Sequence, residues 1–218
     1  MKQEERTALA NWEEYKADIS NSTPVDVNMS QAQREKHRLY LEEHPIEWIG
    51  FFFPNYAKYP FAPFHKRAIK RILNNDEWYE VLSWSRELAK STVVMFCVMY
   101  LALTGRKRNV MLASATQDSA RRLLDPYRAN LEANGRIKAY YGEQMNIGSW
   151  TDTEFIAKCG CAFRAIGAGN APRGSRNEAV RPDVLLVDDY DTDEDCRNPD
   201  IIQKKWDWYE QAFYATRS

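Results

Sequence analysis

A lysine followed by two hydroxyl residues, Lys90-Ser91-Thr92, stands between two apolar runs. Residues 81–84 precede the segment and residues 93–103 follow it, which predicts a strand, a tight loop and a helix. This layout is typical of a loop that cradles nucleotide phosphates. The lysine charge meets the β- and γ-phosphates, N–H groups at the start of the helix surround the anion, and the following hydroxyl ligates Mg²⁺. Trp84 and Ala89 stand where such loops usually have glycines.

The composition indicates a globular chain without a membrane span. Of its 218 residues, 44% are hydrophobic and 28% charged, which is enough for a sizeable core. No apolar run reaches the roughly 18 residues that a span needs, and no signal-type segment follows residues 1–6. We therefore expect a soluble intracellular protein. The formal net charge is −1, so any contact with nucleic acid must come from local basic clusters. The spacing of the four cysteines fits neither a disulfide framework nor a metal knuckle.

Residues 1–60 are predicted to form a helical N-terminal segment that packs on the core. The apolar spacing in residues 4–19 indicates an amphipathic helix. Ser30 is a good N-cap for a second helix, which we expect to end near residue 43. The phenylalanines at 51–53 either pack in the core or bind a membrane surface, and core packing is the favoured interpretation.

Predicted helices and strands alternate through residues 61–218, which indicates an α/β domain. The predicted helices are residues 64–74, 90–104, 117–134 and 199–216. The predicted strands are residues 78–84, 110–115 and 183–189, with a hairpin around Gly160 in residues 154–166. The strands are nearly continuous apolar runs, so we expect a three-layer sandwich in which helices cover both faces of a mainly parallel central sheet.

Two carboxylates, Asp188 and Asp189, follow the last predicted strand directly. Ligands of parallel sheets bind at the carboxyl ends of the strands, so this strand would deliver both groups beside the predicted phosphate loop. There, Asp188 would hold Mg²⁺ through water and Asp189 would orient the attacking water. The alternative is an ordinary acidic loop, since acidic residues continue after position 189.

Residues 173–176 read Arg-Gly-Ser-Arg, and residues 181–189 read Arg-Pro-Asp, four apolar residues and Asp-Asp. Together they resemble the R-G-x-R…R-P-D-[apolar]₄-D-D block of large terminase subunits, the ATPase motors that pump DNA into viral procapsids. Residues 188–199 look like the acidic continuation of one branch of that family. Residues 85–91 are similar to its deviant phosphate loop, S-R-Q-x-G-K-[ST], which lacks the first glycine. The resemblance covers roughly residues 60–215.

The resemblance implies a P-loop NTPase fold for residues 61–218 and hydrolysis of ATP with Mg²⁺. It implies a phosphate-binding loop formed by Arg86, Glu87, Leu88, Ala89, Lys90, Ser91 and Thr92. Ser91 and Asp188 are expected to hold Mg²⁺. Asp189, with Asp191 second, is expected to orient water, and Arg86 to sense or stabilise the γ-phosphate.

Other implied site residues lie on either side of the loop. Phe64 or His65 is expected to contact adenine, with a core phenylalanine and a helix-start histidine as the alternative. Arg173 and Arg176 are further candidates for stabilising charge on the phosphoryl group, in cis or from a neighbouring subunit.

The implied partners are double-stranded DNA, a portal protein, a small terminase subunit and further copies of the chain in a ring, without a membrane. The implied location is the cytoplasm of a bacterial host. Lys66, Arg67, Lys70 and Arg71 form one basic stripe, and residues 106–108 form a basic turn. Either could bind phosphates, or both could be solvated surface.

The sequence departs from the family pattern at several places. Ala89 replaces the remaining glycine, and alanine is tolerated there only if its φ is negative. Glu87 replaces glutamine and adds negative charge near the phosphates. Asp189 and Asp191 are each one carbon shorter than the usual glutamates. The C-terminal nuclease domain of the family is expected to be absent.

Two alternatives to the terminase motor stay open at this point. One is another DNA-stimulated P-loop motor of the helicase kind, which would require a second motor domain. The other is a catalytically weak nucleotide-binding module that acts in assembly.

Overall fold

The computed structural model describes residues 3–172, 180–192 and 194–217. The chain divides into two compact units. The first contains residues 1–104 and 129–144, and the second contains residues 105–128 and 145–218. The predicted domain boundary at residue 60 stays a prediction, because compact units and domains need not coincide.

The first unit is helical. Its helices are α1 (Gln3–Ser22), α2 (Gln31–Glu43), α3 (Pro45–Phe52), α4 (Pro63–Asn74), α5 (Lys90–Leu103), the end of α6 (Gln117–Ala133) and α7 (Gly135–Tyr141). The predicted cap of α2 is confirmed, since the Ser30 hydroxyl accepts from the Gln33 N–H and the Gln33 side chain accepts from the Ser30 N–H.

Helix α5 is the centre of the first unit. Every residue from 95 to 103 is buried, as expected for a helix that is apolar on all sides. Phe53 packs on Phe96 with ring centroids 5.1 Å apart, and Trp48 packs edge-on against Tyr100 at 5.2 Å. Phe52 and Phe53 are fully buried. The favoured prediction of core packing for these phenylalanines is therefore confirmed.

The second unit contains the sheet, whose strands are β1 (Asn109–Ser114), β2 (Glu154–Ile156), β3 (Ala162–Gly167) and β4 (Val184–Val187). The strand order is β2-β3-β1-β4. Strands β3 and β4 run parallel to β1 on either side of it, and β2 pairs antiparallel with β3. The hairpin predicted around Gly160 is confirmed, and this glycine has the positive φ of 88° that its turn requires.

Chain segments cover both faces of this sheet within the second unit. On one face, Tyr127 of α6 packs on Phe163 of β3, with ring centroids 5.8 Å apart. On the other face, Phe213 joins Met111, Ala113 and Ile166 in a buried cluster. A mixed α/β fold with a mostly parallel four-stranded sheet is thus present, as the apolar strand pattern predicts.

Two predicted elements differ in the structure. Residues 78–84 form no strand in the described chain, and Tyr79 and Val81 are 64% and 75% exposed. A local preference for extended backbone makes a strand only where a neighbouring backbone completes the ladder, and no described residue does so. Residues 45–52 form helix α3, which lies inside the segment predicted to be helical.

The predicted C-terminal helix is divided into three parts. Helix α8 (Pro199–Trp208) continues into a π-helical turn (Tyr209–Phe213) and a 3₁₀ turn (Tyr214–Thr216). Among the described residues, no helix has the length and apolar character that crossing a membrane demands.

Candidate functional site

Two residues of the loop before α5 have a left-handed backbone. Ala89 is the N-cap of α5, with φ 54° and ψ 31°, and Glu87 has a φ of 67°. Both lie in the left-handed region that favours glycine. Ala89 thus does not meet the condition of a negative φ under which alanine is tolerated at this position without strain. The left-handed turn at Ala89 leads directly into Lys90, the first residue of the helix.

Lys90, Ser91 and Thr92 occupy the first turn of α5. Their backbone N–H groups precede the first intrahelical bond, in which the Val93 N–H donates to the Ala89 carbonyl at 2.9 Å. Ala89 provides no side-chain cap. This end of the helix therefore places the positive end of the helix dipole beside a lysine, a combination that favours an anion.

The loop contains two basic residues, Arg86 and Lys90. Lys90 is half-buried and Arg86 is exposed, and within the described residues neither forms an ion pair. Glu87, Leu88 and Ala89 are exposed as well. The loop is thus open to solvent, with two cations and one carboxylate available to a ligand.

His65 ties the loop to the start of α4. Its Nδ1 accepts a hydrogen bond from the Ala62 N–H at 3.3 Å, so the proton lies on Nε2, which donates to the Leu88 carbonyl at 2.9 Å. Its ring is 5.4 Å from Trp84, and the Phe64 ring stands edge-on to Trp84 at 5.1 Å. Contact of Phe64 or His65 with adenine stays a prediction. What the structure adds is that His65 positions the loop.

The predicted carboxylates lie in the second unit, at the carboxyl ends of the parallel strands. Ala113 of β1 is opposite Val187 of β4, so Asp188 and Asp189 extend from the same edge as the end of β1. The Asp188 N–H donates to the Ala113 carbonyl at 3.1 Å. This edge is the place where ligands of parallel α/β sheets bind.

Asp189 is held by its backbone. Its carbonyl accepts from the Ala115 N–H and from the Ser114 hydroxyl, both at 3.1 Å. Its φ is 45°, a left-handed conformation that aspartate tolerates better than most residues. The side chain is exposed while that of Asp188 is half-buried. These two hydrogen bonds therefore fix the backbone that carries the Asp189 carboxylate.

Asp191 is engaged by a lysine that sequence reasoning missed. The Nζ of Lys205 in α8 lies 3.7 Å from the Asp191 carboxylate, and it donates to the Asp195 carboxylate and, at 2.7 Å, to the Tyr190 carbonyl. The bond from Lys205 lowers the pKa of Asp195 to about 2. Burial raises the pKa of Tyr190 to about 12. Lys205 therefore fixes the acidic loop and offsets the charge of Asp191.

Gln117, at the start of α6, organises the neighbouring loop. Its Oε1 accepts from the Gly167 N–H at 2.9 Å and from the Asn170 side chain at 3.1 Å, and its Nε2 donates to the Ala165 carbonyl at 3.0 Å. A Cβ on Gly167 would lie 2.4 Å from the Gln117 backbone nitrogen, so only glycine fits. Trp208 of α8 donates to the Asn170 carbonyl at 2.7 Å. No motif in the sequence marks Gln117 or Trp208.

The structure brings the predicted residues together in two groups. The phosphate-loop residues belong to the first unit, and Asp188, Asp189 and Asp191 belong to the second. Arg173 and Arg176 lie outside the described residues. In the part of the chain that the structure describes, no cluster of three His, Cys, Asp or Glu side chains is placed to hold a metal.

Comparison with known proteins adds no relative. No family model matches the chain, and no curated protein or solved structure shows significant similarity to it.

Proposed function

We propose that this protein is the ATPase domain of a viral or prophage large terminase subunit, which hydrolyses ATP to move double-stranded DNA into a procapsid. The observation that supports the proposal most is the left-handed turn at Ala89 immediately before Lys90 and the N-terminus of α5. A left-handed turn that leads into a helix N-terminus beside a lysine is compatible with phosphate binding, and it forms although the usual glycine is absent.

The loop residues fit a triphosphate. Lys90 would bind the β- and γ-phosphates, and the N–H groups of the first turn of α5 would surround them. Arg86, exposed and without an ion pair among the described residues, would stabilise the γ-phosphate. Thr92 would bind the α-phosphate or cap the helix. His65 would hold the loop in place through the Leu88 carbonyl.

The carboxylates at the edge of the sheet fit a divalent cation and a water molecule. Ser91 and Asp188 would hold Mg²⁺, which when bound neutralises charge on the phosphates. Asp189 would orient the attacking water. Asp191 is the weaker candidate for that role, because Lys205 already lies beside its carboxylate. In this proposal the chain works in the bacterial host cytoplasm as a ring, with a portal protein and a small terminase subunit.

A second candidate is a nucleotide-binding module with weak catalysis. Two observations favour it: the segment before the loop forms no strand in the described chain, and Ala89 carries the cost of a left-handed backbone. Both would loosen the geometry that rapid hydrolysis needs. Such a module would bind ATP but turn it over slowly.

Phosphate release from ATP with Mg²⁺, with and without duplex DNA, tests the proposal. The Lys90→Ala and Asp188→Ala variants should each lose about 10²- to 10³-fold in turnover, the usual cost of removing one electrostatic stabiliser. Lys58→Ala, a change at an exposed loop lysine of the first unit, is the matched control and should keep wild-type turnover. Turnover in the wild type that neither variant reduces would contradict the proposal. Binding of ATP without turnover would favour the second candidate.

A further inference from the structure

Helix α4 carries a basic face without an acidic residue. Residues 61–75, which include the whole helix, contain no aspartate or glutamate. Lys66, Arg67, Lys70 and Arg71 are all exposed. The opposite side of the helix, with Ala68, Ile69 and Leu73, is buried in the first unit. The packing of α4 therefore holds four cations on its solvent face.

Three of these cations have no anionic partner in the described part of the chain. Arg71 pairs with Glu80, while Lys66, Arg67 and Lys70 form no ion pair there. Lys66 and Lys70, like Arg67 and Arg71, are four residues apart, and like charges at this spacing destabilise a helix. A bound anion would relieve this repulsion.

Part of the basic face forms a shallow, open cleft. A cleft of about 320 Å³ is bordered by Arg67, Lys70, Arg71, Asn74 and Asn75. Guanidinium and ammonium groups donate but do not accept, so the cleft suits an anion with several acceptor oxygens. Asp76 and Glu77 follow the helix, so negative charge begins where the cleft ends.

An exposed aromatic ring, that of Trp78, is linked to the basic face through a shared carboxylate. Trp78 is 42% exposed, and its ring N–H donates to Glu80, the residue that also pairs with Arg71. Basic side chains beside an exposed indole are the combination that binds nucleic acid, because the cations meet phosphates and the ring stacks on an unpaired base.

We propose that the α4 face binds the phosphodiester backbone of nucleic acid, with Lys66, Arg67 and Lys70 as the phosphate contacts. The proposal rests on the proposed function only for the choice of DNA as the natural partner. It assigns the contact to a surface separate from the phosphate loop, so binding should not require ATP.

The test measures fluorescence anisotropy of a labelled 20-base-pair duplex and of a 20-nucleotide single strand, without ATP, over a series of salt concentrations. The variant Lys66→Gln/Arg67→Gln/Lys70→Gln should lower the slope of log K against log salt by about 2.7 for the duplex and about 2.1 for the single strand. Because of this slope change, the ratio of wild-type to variant duplex affinity should be about 500-fold larger at about 0.1 M salt than at about 1 M salt.

A matched control removes three exposed cations elsewhere in the same unit, with Arg6→Gln/Lys36→Gln/Lys58→Gln. It should keep the wild-type slope. Circular dichroism should show that both triple variants are folded. If the protein binds the single strand more tightly than the duplex, and Trp78→Ala abolishes this difference, single-stranded nucleic acid is the source of the phosphates.

An unchanged slope in the α4 variant, or an equal loss in the control, would overturn the proposal. Binding to anionic phospholipid vesicles in place of DNA would also overturn it. ATP turnover without DNA separates the two proposals, since the α4 variant should keep it even where DNA binding is lost. Loss of DNA binding in a protein with no turnover at all would leave the α4 surface supported and the ATPase proposal refuted.

Discussion

Replacing Ala89 with glycine should stabilise the protein. Ala89 has a φ of 54° in the turn before α5. The left-handed conformation costs a residue with a Cβ about 1–2 kcal/mol, because the Cβ approaches the following carbonyl oxygen. Glycine avoids this contact, so Ala89→Gly removes the cost from the folded state.

The gain is reduced by the freedom of glycine in the unfolded chain. The larger conformational entropy of glycine in the unfolded chain opposes folding by about 0.4–1 kcal/mol relative to alanine. The difference leaves a net stabilisation of about 0.5–1 kcal/mol. For a chain of this size, about 1 kcal/mol corresponds to about 2–4 °C in Tm. An increase of about 1–4 °C is therefore expected.

Urea unfolding and thermal melting followed by circular dichroism measure this effect. The matched control is Ala10→Gly, an exposed position inside α1 of the same unit, where the backbone is right-handed. The control should lose about 0.5–1 kcal/mol, because glycine weakens a helix interior. The two substitutions should thus shift stability in opposite directions. An equal loss in both variants would refute the left-handed turn and, with it, the phosphate-loop geometry.

Two further changes test the second unit. Lys205→Met should remove a stabilising ion pair with Asp195, whose pKa of about 2 in the folded protein lies below its ordinary value of 3.8. A lowered pKa stabilises the fold above the ordinary value, so urea midpoints of wild type and variant should differ above about pH 4 and converge as the pH falls towards 2; a difference independent of pH would contradict this. Gly167→Ala should cost about 1–3 kcal/mol, because its Cβ would press on the Gln117 backbone. Gly148→Ala, where a Cβ meets nothing within 4 Å, is the control, and equal melting temperatures of these two alanine variants would contradict the close contact.

Much of the architecture could be predicted because it depends on local signals. The cap at Ser30 and the apolar spacing of α4 are encoded within one or two helical turns, and both elements form where predicted. The apolar run of β4 predicted a parallel strand that ends in two aspartates, and the structure has it beside β1. Each of these signals needs only its own segment.

Other features depend on partners that no local pattern specifies. Residues 78–84 have the composition of a strand, but no described backbone pairs with them. Nothing in the sequence distinguishes Lys205 from the other lysines. Its contacts with Asp195 and the Tyr190 carbonyl form only in the folded chain, where α8 packs on the acidic loop. The turn at Ala89 was unexpected for a different reason, since the intrinsic preference of alanine disfavours the conformation that the helix start imposes.

Calorimetric titration with a non-hydrolysable ATP analogue and Mg²⁺ measures whether the loop before α5 binds a nucleoside triphosphate. We expect one site per chain, weaker binding of AMP, and a loss of affinity in Lys90→Ala that Lys58→Ala does not share. An absence of heat with the wild-type protein, or equal affinity in wild type and Lys90→Ala, would contradict this expectation.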